Sequence, residues 1–212
     1  MPDPNERDAK LIQYMSEAYG NERELEVALQ TDIAITTKPP YKKRLQEHLR
    51  ETKAHAKALD RRIKKLGGGT QTVQSLVGKA TALAKGPLHL IRGSGEQEKL
   101  LKNAKTQFTA EQEEISTYLA LEVFATKVGD SETAKLARDI RKDEERMAKF
   151  LDGQIRQLAA ATALEEVPAS QRRKASKTKK RPAKKVAAKK SPPKKRKAAA
   201  KKPAAKKRKA KG

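Results

Sequence analysis

The 212-residue chain carries 50 Lys and Arg, 26 Asp and Glu and no Cys, for a formal net charge of +24. Lack of cysteine excludes disulfides, thiolate metal sites and cysteine nucleophiles, and permits a reducing compartment. The charge is uneven: residues 171–212 hold 22 Lys and Arg and no acid, leaving 28 basic against 26 acidic residues before them.

The start, MPDPNERDAK, has neither the basic n-region nor the apolar run of a secretion signal. No later stretch approaches the roughly 20 apolar residues of a membrane span, so a soluble, cytoplasmic chain without membrane insertion is expected. Residues 5–36 place Leu11, Met15, Ala18, Leu25, Leu29 and Ile33 on one stripe at three- and four-residue spacing, which predicts a first amphipathic helix. Pro39 and Pro40 open a second, residues 40–66, with Tyr41, Leu45, Leu49, Thr52, Ala56, Leu59, Ile63 and Leu66 on its buried face, stopped by Gly67, Gly68 and Gly69. Residues 67–95 read as a crossover with a short helix from Val73 to Ala84. The third helix, 96–128, turns Leu100, Ala104, Phe108, Ile115, Tyr118 and Ala125 inward, and Gly129-Asp130 forms the turn. The fourth, 131–161, buries Leu136, Ile140, Met147, Leu151, Ile155 and Leu158. Two hairpins joined by a long crossover predict an all-α, ferritin-like four-helix bundle over residues 1–165, followed by a disordered basic tail over 166–212.

Several carboxylates fall on apolar faces. At 100° per residue Glu22 lies mid-stripe between Ala18 and Leu25, and Glu111, Glu114 and Glu122 project within about 60° of the third helix's stripe centre. In the fourth helix Glu144 shares the direction of Ile140 and Met147, with Asp143 at the margin. His48 and His55 sit two turns apart on the second helix's buried face, with Glu51 at the edge between them. An unpaired carboxylate in an apolar core costs several kcal/mol, so either partners or metal ions must compensate these groups. Oxygen-rich clusters with imidazole suit hard or borderline ions such as iron or manganese.

The string from Glu17 through Glu22 to Leu29, His48-Leu-Arg-Glu51-Thr-Lys-Ala-His55, Glu111-Gln-Glu-Glu114-Ile-Ser-Thr-Tyr118 and Asp143-Glu144-Glu145, in this order and at these intervals, resembles the bacterial ferritin-like family DUF892 over about residues 8–160. The resemblance implies a stress-related four-helix bundle, often a homodimer, with Glu22, Glu51, His55, Glu111, Glu114 and Glu144 at the family's di-metal positions and iron or manganese as cofactor. Gln112-Glu113 and Met147-Ala148 depart from that pattern, which predicts a weakened second metal position.

The tail alternates Lys pairs with Ala and Pro, resembling the arms of linker histones and actinobacterial nucleoid proteins. Its cations Arg172, Arg173, Lys174, Lys179, Lys180, Arg181, Lys184, Lys185, Lys189, Lys190, Lys194, Lys195, Arg196, Lys197, Lys201, Lys202, Lys206, Lys207, Arg208 and Lys209 are expected to bind double-stranded DNA through phosphate charge, without reading sequence. The arm has no aromatic residue to stack bases and no Asn, and its one Gln is Gln171 at the start. Two readings follow. In one, a nucleoid-associated stress protein holds a ferroxidase or peroxide-consuming centre against DNA. In the other, the bundle is a dimerisation module without metal chemistry, and paired arms compact DNA.

Overall fold

A computed structural model describes residues 5–69 and 95–173. It contains four helices, α1 (Glu6–Ile35), α2 (Pro39–Lys65), α3 (Glu96–Lys127) and α4 (Ser131–Glu166), and no strand among the described residues. The expected crossover helix over Val73–Ala84 and the arm from Lys174 onward lie outside the described residues.

Local chemistry sets the ends of these helices. Asn5 caps α1, its side chain accepting from the Asp8 backbone N–H at 2.9 Å, and Asp130 caps α4 through Thr133 N–H, also at 2.9 Å. Pro39 and Pro40 occupy the first turn of α2, where no intrahelical N–H is missed. Both α2 and α3 close on a glycine with left-handed backbone, Gly67 (φ 88°) and Gly129 (φ 78°). Around Gly129 the paired return bonds, Gly129 N to Thr126 O and Asp130 N to Ala125 O, satisfy carbonyls that α3 would otherwise leave open.

The fourth helix runs five residues beyond its expected end at Ala161, to Glu166. Its last turns are built from strong helix formers, Ala159 to Ala161, Ala163 and Leu164, and nothing breaks them until Pro168. The pyrrolidine ring bars Val167 from the helical region, and Val167 is extended (φ −110°, ψ 113°).

Helices α1 and α2 form one hairpin and α3 and α4 the other, with α1 beside α3 and α2 beside α4. All these neighbours are antiparallel. The end of α1 meets the start of α3, where the Thr37 hydroxyl bonds Glu96, and at the opposite end Tyr14 packs on Phe124 with ring centroids 5.1 Å apart. The end of α2 is tied to the start of α4 by Arg62. Its guanidinium donates to Asp130 at 2.6 and 2.8 Å, Glu132 at 2.8 Å and the Thr133 hydroxyl at 2.9 Å. Among the described residues no helix is long and apolar enough to cross a membrane.

The bundle interior has three layers. One end is an apolar cluster around Leu11, Met15, Leu59, Ile63, Leu121 and Ile140. The other end gathers Leu25, Leu29, Tyr41, Leu45, Met147, Leu151 and Leu158. Each fully buried leucine here stabilises the fold by about 2 kcal/mol. Between the clusters all four helices contribute buried polar groups: Glu22, His48, Thr52, His55, Glu111, Glu114 and Glu144. Glu122, expected to point inward, does not join them. It lies at the bundle margin, where Arg138 and Arg141 of α4 bind it at 2.7 and 3.0 Å. A position about 60° from the stripe centre can turn either way, and two guanidiniums decide it.

Candidate metal centre

Each helix delivers its ligand-type side chains through its own apolar periodicity. Glu22 falls between Ala18 and Leu25 in α1, and Glu144 between Ile140 and Met147 in α4, so packing the flanking residues forces both carboxylates inside. Glu111 and Glu114 project from one face of α3, and His48 and His55, seven residues apart on α2, lie two turns from each other. All six are buried, and Glu22, His48, Glu111 and Glu144 are 0 % exposed.

Two groups of three result, His55 with Glu22 and Glu144, and His48 with Glu111 and Glu144, the ligand-type atoms within each lying no more than 4.8 Å apart. His55 Nδ1 is 3.0 Å from Glu144 Oε1 and 3.3 Å from Glu22 Oε1. His48 Nε2 is 3.1 Å from Glu111 Oε1 and 3.5 Å from Glu144 Oε2. Glu144 is therefore shared, one oxygen towards each imidazole. The Tyr118 hydroxyl, fully buried, donates to Glu22 Oε1.

Beyond each ring a second carboxylate holds the remaining nitrogen. Glu51 Oε2 lies 3.2 Å from His48 Nδ1 and accepts from Arg44 at 2.9 Å, while Asp143 Oδ2 lies 3.1 Å from His55 Nε2 and pairs with Arg146. Such outer carboxylates fix the tautomer and aim of an imidazole and raise its basicity.

Electrostatics follow from burial working against this pairing. Burial disfavours charge on His48, but its bonds to Glu111 and Glu51 outweigh it and push the pKa up to about 10. For His55 burial is likewise outweighed, by Glu144 and Glu22, and the pKa rises to about 11. Burial lifts Glu111 to about 7 against the pull of His48. Burial also raises Glu22, and raises Glu114 well above the usual range with Glu22, Glu144 and Glu111 adding repulsion. Glu144 is buried too, yet His55 and His48 hold it below its usual range. On the protein's edge His48 and Arg44 hold Glu51 down to about 2.

The residues fit a pair of divalent ions. Buried oxygens on Glu22 (Oε2), Glu111 (Oε2) and Glu114 (Oε2) have no hydrogen-bond partner, and those of Glu144 have none beyond their ion pairs with His48 and His55. Orphaned buried groups at this density are otherwise costly. Four buried carboxylates also match the charge of two divalent cations, with neutral imidazole completing an oxygen and nitrogen donor set.

Of the residues expected at di-metal positions, Glu22, His55, Glu111 and Glu144 fall within these two groups. Glu114 is buried in the same layer with a free oxygen, and Glu51 stands on the outer side of His48. The resemblance does not point to His48, although its seven-residue spacing from His55 puts both on one face. Gln112 and Glu113 are exposed, and the second group draws its imidazole from His48 instead. Of the arm cations only Arg172 and Arg173 are described, both exposed beyond the end of α4.

An antiparallel four-helix bundle crossed at mid-height by buried carboxylates and imidazoles is an all-α protein with groups that could hold a metal ion. The chain belongs to the DUF892 family, a domain of unknown function, whose family model matches residues 7–164. It is similar in fold to a crystal structure of a protein from Xanthomonas campestris pv. campestris, at 22% identity and TM-score 0.61, covering 76% of this chain and 99% of that one. YcfI from Rhodopseudomonas palustris matches at 20% identity and TM-score 0.56, covering 71% and 96%. No curated protein matches.

Proposed function

We propose that the bundle binds two divalent metal ions, iron or manganese, between Glu22, His55, Glu111, Glu114, His48 and Glu144, and that the polycationic arm holds it on double-stranded DNA. The observation that carries the metal half is the set of buried carboxylates converging from α1, α3 and α4 on the two imidazoles of α2, with oxygens of Glu22, Glu111 and Glu114 left without a hydrogen-bond partner. A bound pair would supply the redox chemistry needed to oxidise ferrous ion or consume peroxide. The chain's own residues do the rest: Glu144 spans the two positions, Glu51 and Asp143 orient the imidazoles, Tyr118 fixes Glu22, and the apolar clusters at either end exclude water.

The arm half rests on its 22 cations and no anion, a composition suited to phosphate contact and counterion release. Acting together, the two halves describe a homodimeric stress-protection protein at the bacterial nucleoid, consuming Fe²⁺ or peroxide close to DNA. Metal analysis of full-length protein purified without chelator and loaded anaerobically with Fe²⁺ or Mn²⁺ tests the first half: two ions per chain are expected, and fewer than one overturns it. Deleting residues 171–212 tests the second, since the reading requires duplex DNA retardation at moderate salt to disappear.

A further inference from the structure

The near-neutral body conceals a segregation of charge. Helix α2 carries ten Lys and Arg against three Asp and Glu, whereas α1 carries three against seven. On α2 the exposed Lys43, Arg50, Lys57 and Arg61 recur at seven-, seven- and four-residue steps, which keeps them within about 40° of one line along the helix. Of the three acids on α2, Glu47 borders the line on one side, half-buried, Glu51 turns inward to His48, and Asp60 is bound to Lys64 at 2.7 Å.

Most cations of α4 differ, Lys149 excepted. Lys135, Arg138, Arg141, Lys142, Arg146 and Arg156 of α4 all have carboxylate partners. Lys43, Arg50, Lys57 and Arg61 have no ion pair among the described residues. Only Lys57 and Arg61, four residues apart, are close enough to repel, by a few tenths of a kcal/mol, and none of the four fastens the bundle through an ion pair.

We propose that this face of α2 is a second contact surface for duplex DNA, lying along the phosphate backbone while the arm engages it elsewhere. The proposal rests on the reading that the arm binds duplex DNA. From Lys43 to Arg61 the face extends about 27 Å at 1.5 Å per residue, most of the roughly 34 Å of one duplex turn. Duplex DNA carries one negative charge per roughly 1.7 Å of axis, a field of opposite sign to this face along its whole length. The line lacks any large apolar side chain to anchor it in lipid, which favours a nucleic acid over an anionic membrane.

Binding of the full chain to a 30-base-pair duplex, followed by fluorescence anisotropy across a salt series, tests this. Replacing Lys43, Arg50, Lys57 and Arg61 together by Gln is expected to make the logarithmic salt slope shallower by about 2–4. A matched variant with Lys194, Lys195, Arg196 and Lys197 replaced by Gln tests the arm separately. A slope that falls only in the arm variant overturns the α2 surface and leaves the arm reading intact; a fall only in the α2 variant does the reverse. Amine acetylation of the unaltered chain gives a readout independent of variant folding: duplex should slow modification of Lys43 and Lys57 at least threefold while Lys149 on α4 is unchanged. Equal rates with and without duplex, or protection by phosphatidylserine vesicles in place of duplex, overturn the proposal.

Discussion

Metal loading should expel protons, and the geometry sets how many. At pH 7 both imidazoles of the metal-free bundle are charged, because their pKa values stand at about 10 for His48 and about 11 for His55. Only neutral imidazole binds a metal, so filling both positions must release at least two protons, with more from Glu22, Glu111 and Glu114, whose carboxyls are all raised. Three pH units between pH 7 and the His48 pKa correspond to about 4 kcal/mol of affinity withheld at that position. Affinity should therefore climb about tenfold per pH unit for each imidazole displaced, with the climb ending only as pH passes the folded pKa values. Titration calorimetry with Mn²⁺ at pH 7 and 8, in buffers of contrasting ionisation enthalpy, counts the protons directly. Heats that do not change with buffer, or fewer than one proton per two ions, would refute the charged-imidazole description of the empty centre.

Because Glu144 faces both imidazoles, Glu144→Ala should abolish loading of both ions, whereas Glu22→Ala should leave at least one; metal stoichiometry by mass spectrometry distinguishes them. Arg62→Met leaves Asp130 without its buried partner and should cost about 3 kcal/mol in urea unfolding of the metal-free chain, with the start of α4 exchanging amide hydrogen first. Burial raises Asp32 to about 6, so its contribution to stability is complete below about pH 4 and is lost as pH rises through 6. Asp32→Asn, which does not titrate, should gain about 3 kcal/mol over the parent at pH 8 and little at pH 4, measured by thermal unfolding. The raised imidazoles act with the same sign: their contribution is full below about pH 6.5 and is lost towards pH 10–11, so the metal-free bundle should melt at steadily lower temperature through that window.

Much of this protein can be read from helical periodicity. Leu11, Met15, Ala18, Leu25 and Leu29 mark the buried face of α1 unambiguously, and a glutamate in the middle of that face has nowhere to point but inward. Where a side chain sits at the edge of a stripe, the outcome depends on another helix: Glu122 is drawn aside by Arg138 and Arg141, which lie 16 and 19 residues away. Glu51 follows the same rule, its place set by His48 on one side and Arg44 on the other. Charge summed over a long segment hides its arrangement, and the basic face of α2 is cancelled on paper by acids of α1 that lie elsewhere.

The acidic layer lies between two apolar clusters, and each end of the bundle has its own fastening, Arg62 with Asp130 at one and Tyr41 bonded to Gln107 at the other. Mutual repulsion among the carboxylates is thus contained by ends that hold without help from the middle. The two apolar ends, at about 2 kcal/mol for each fully buried leucine, supply the stability that gathers like-charged side chains into the middle layer.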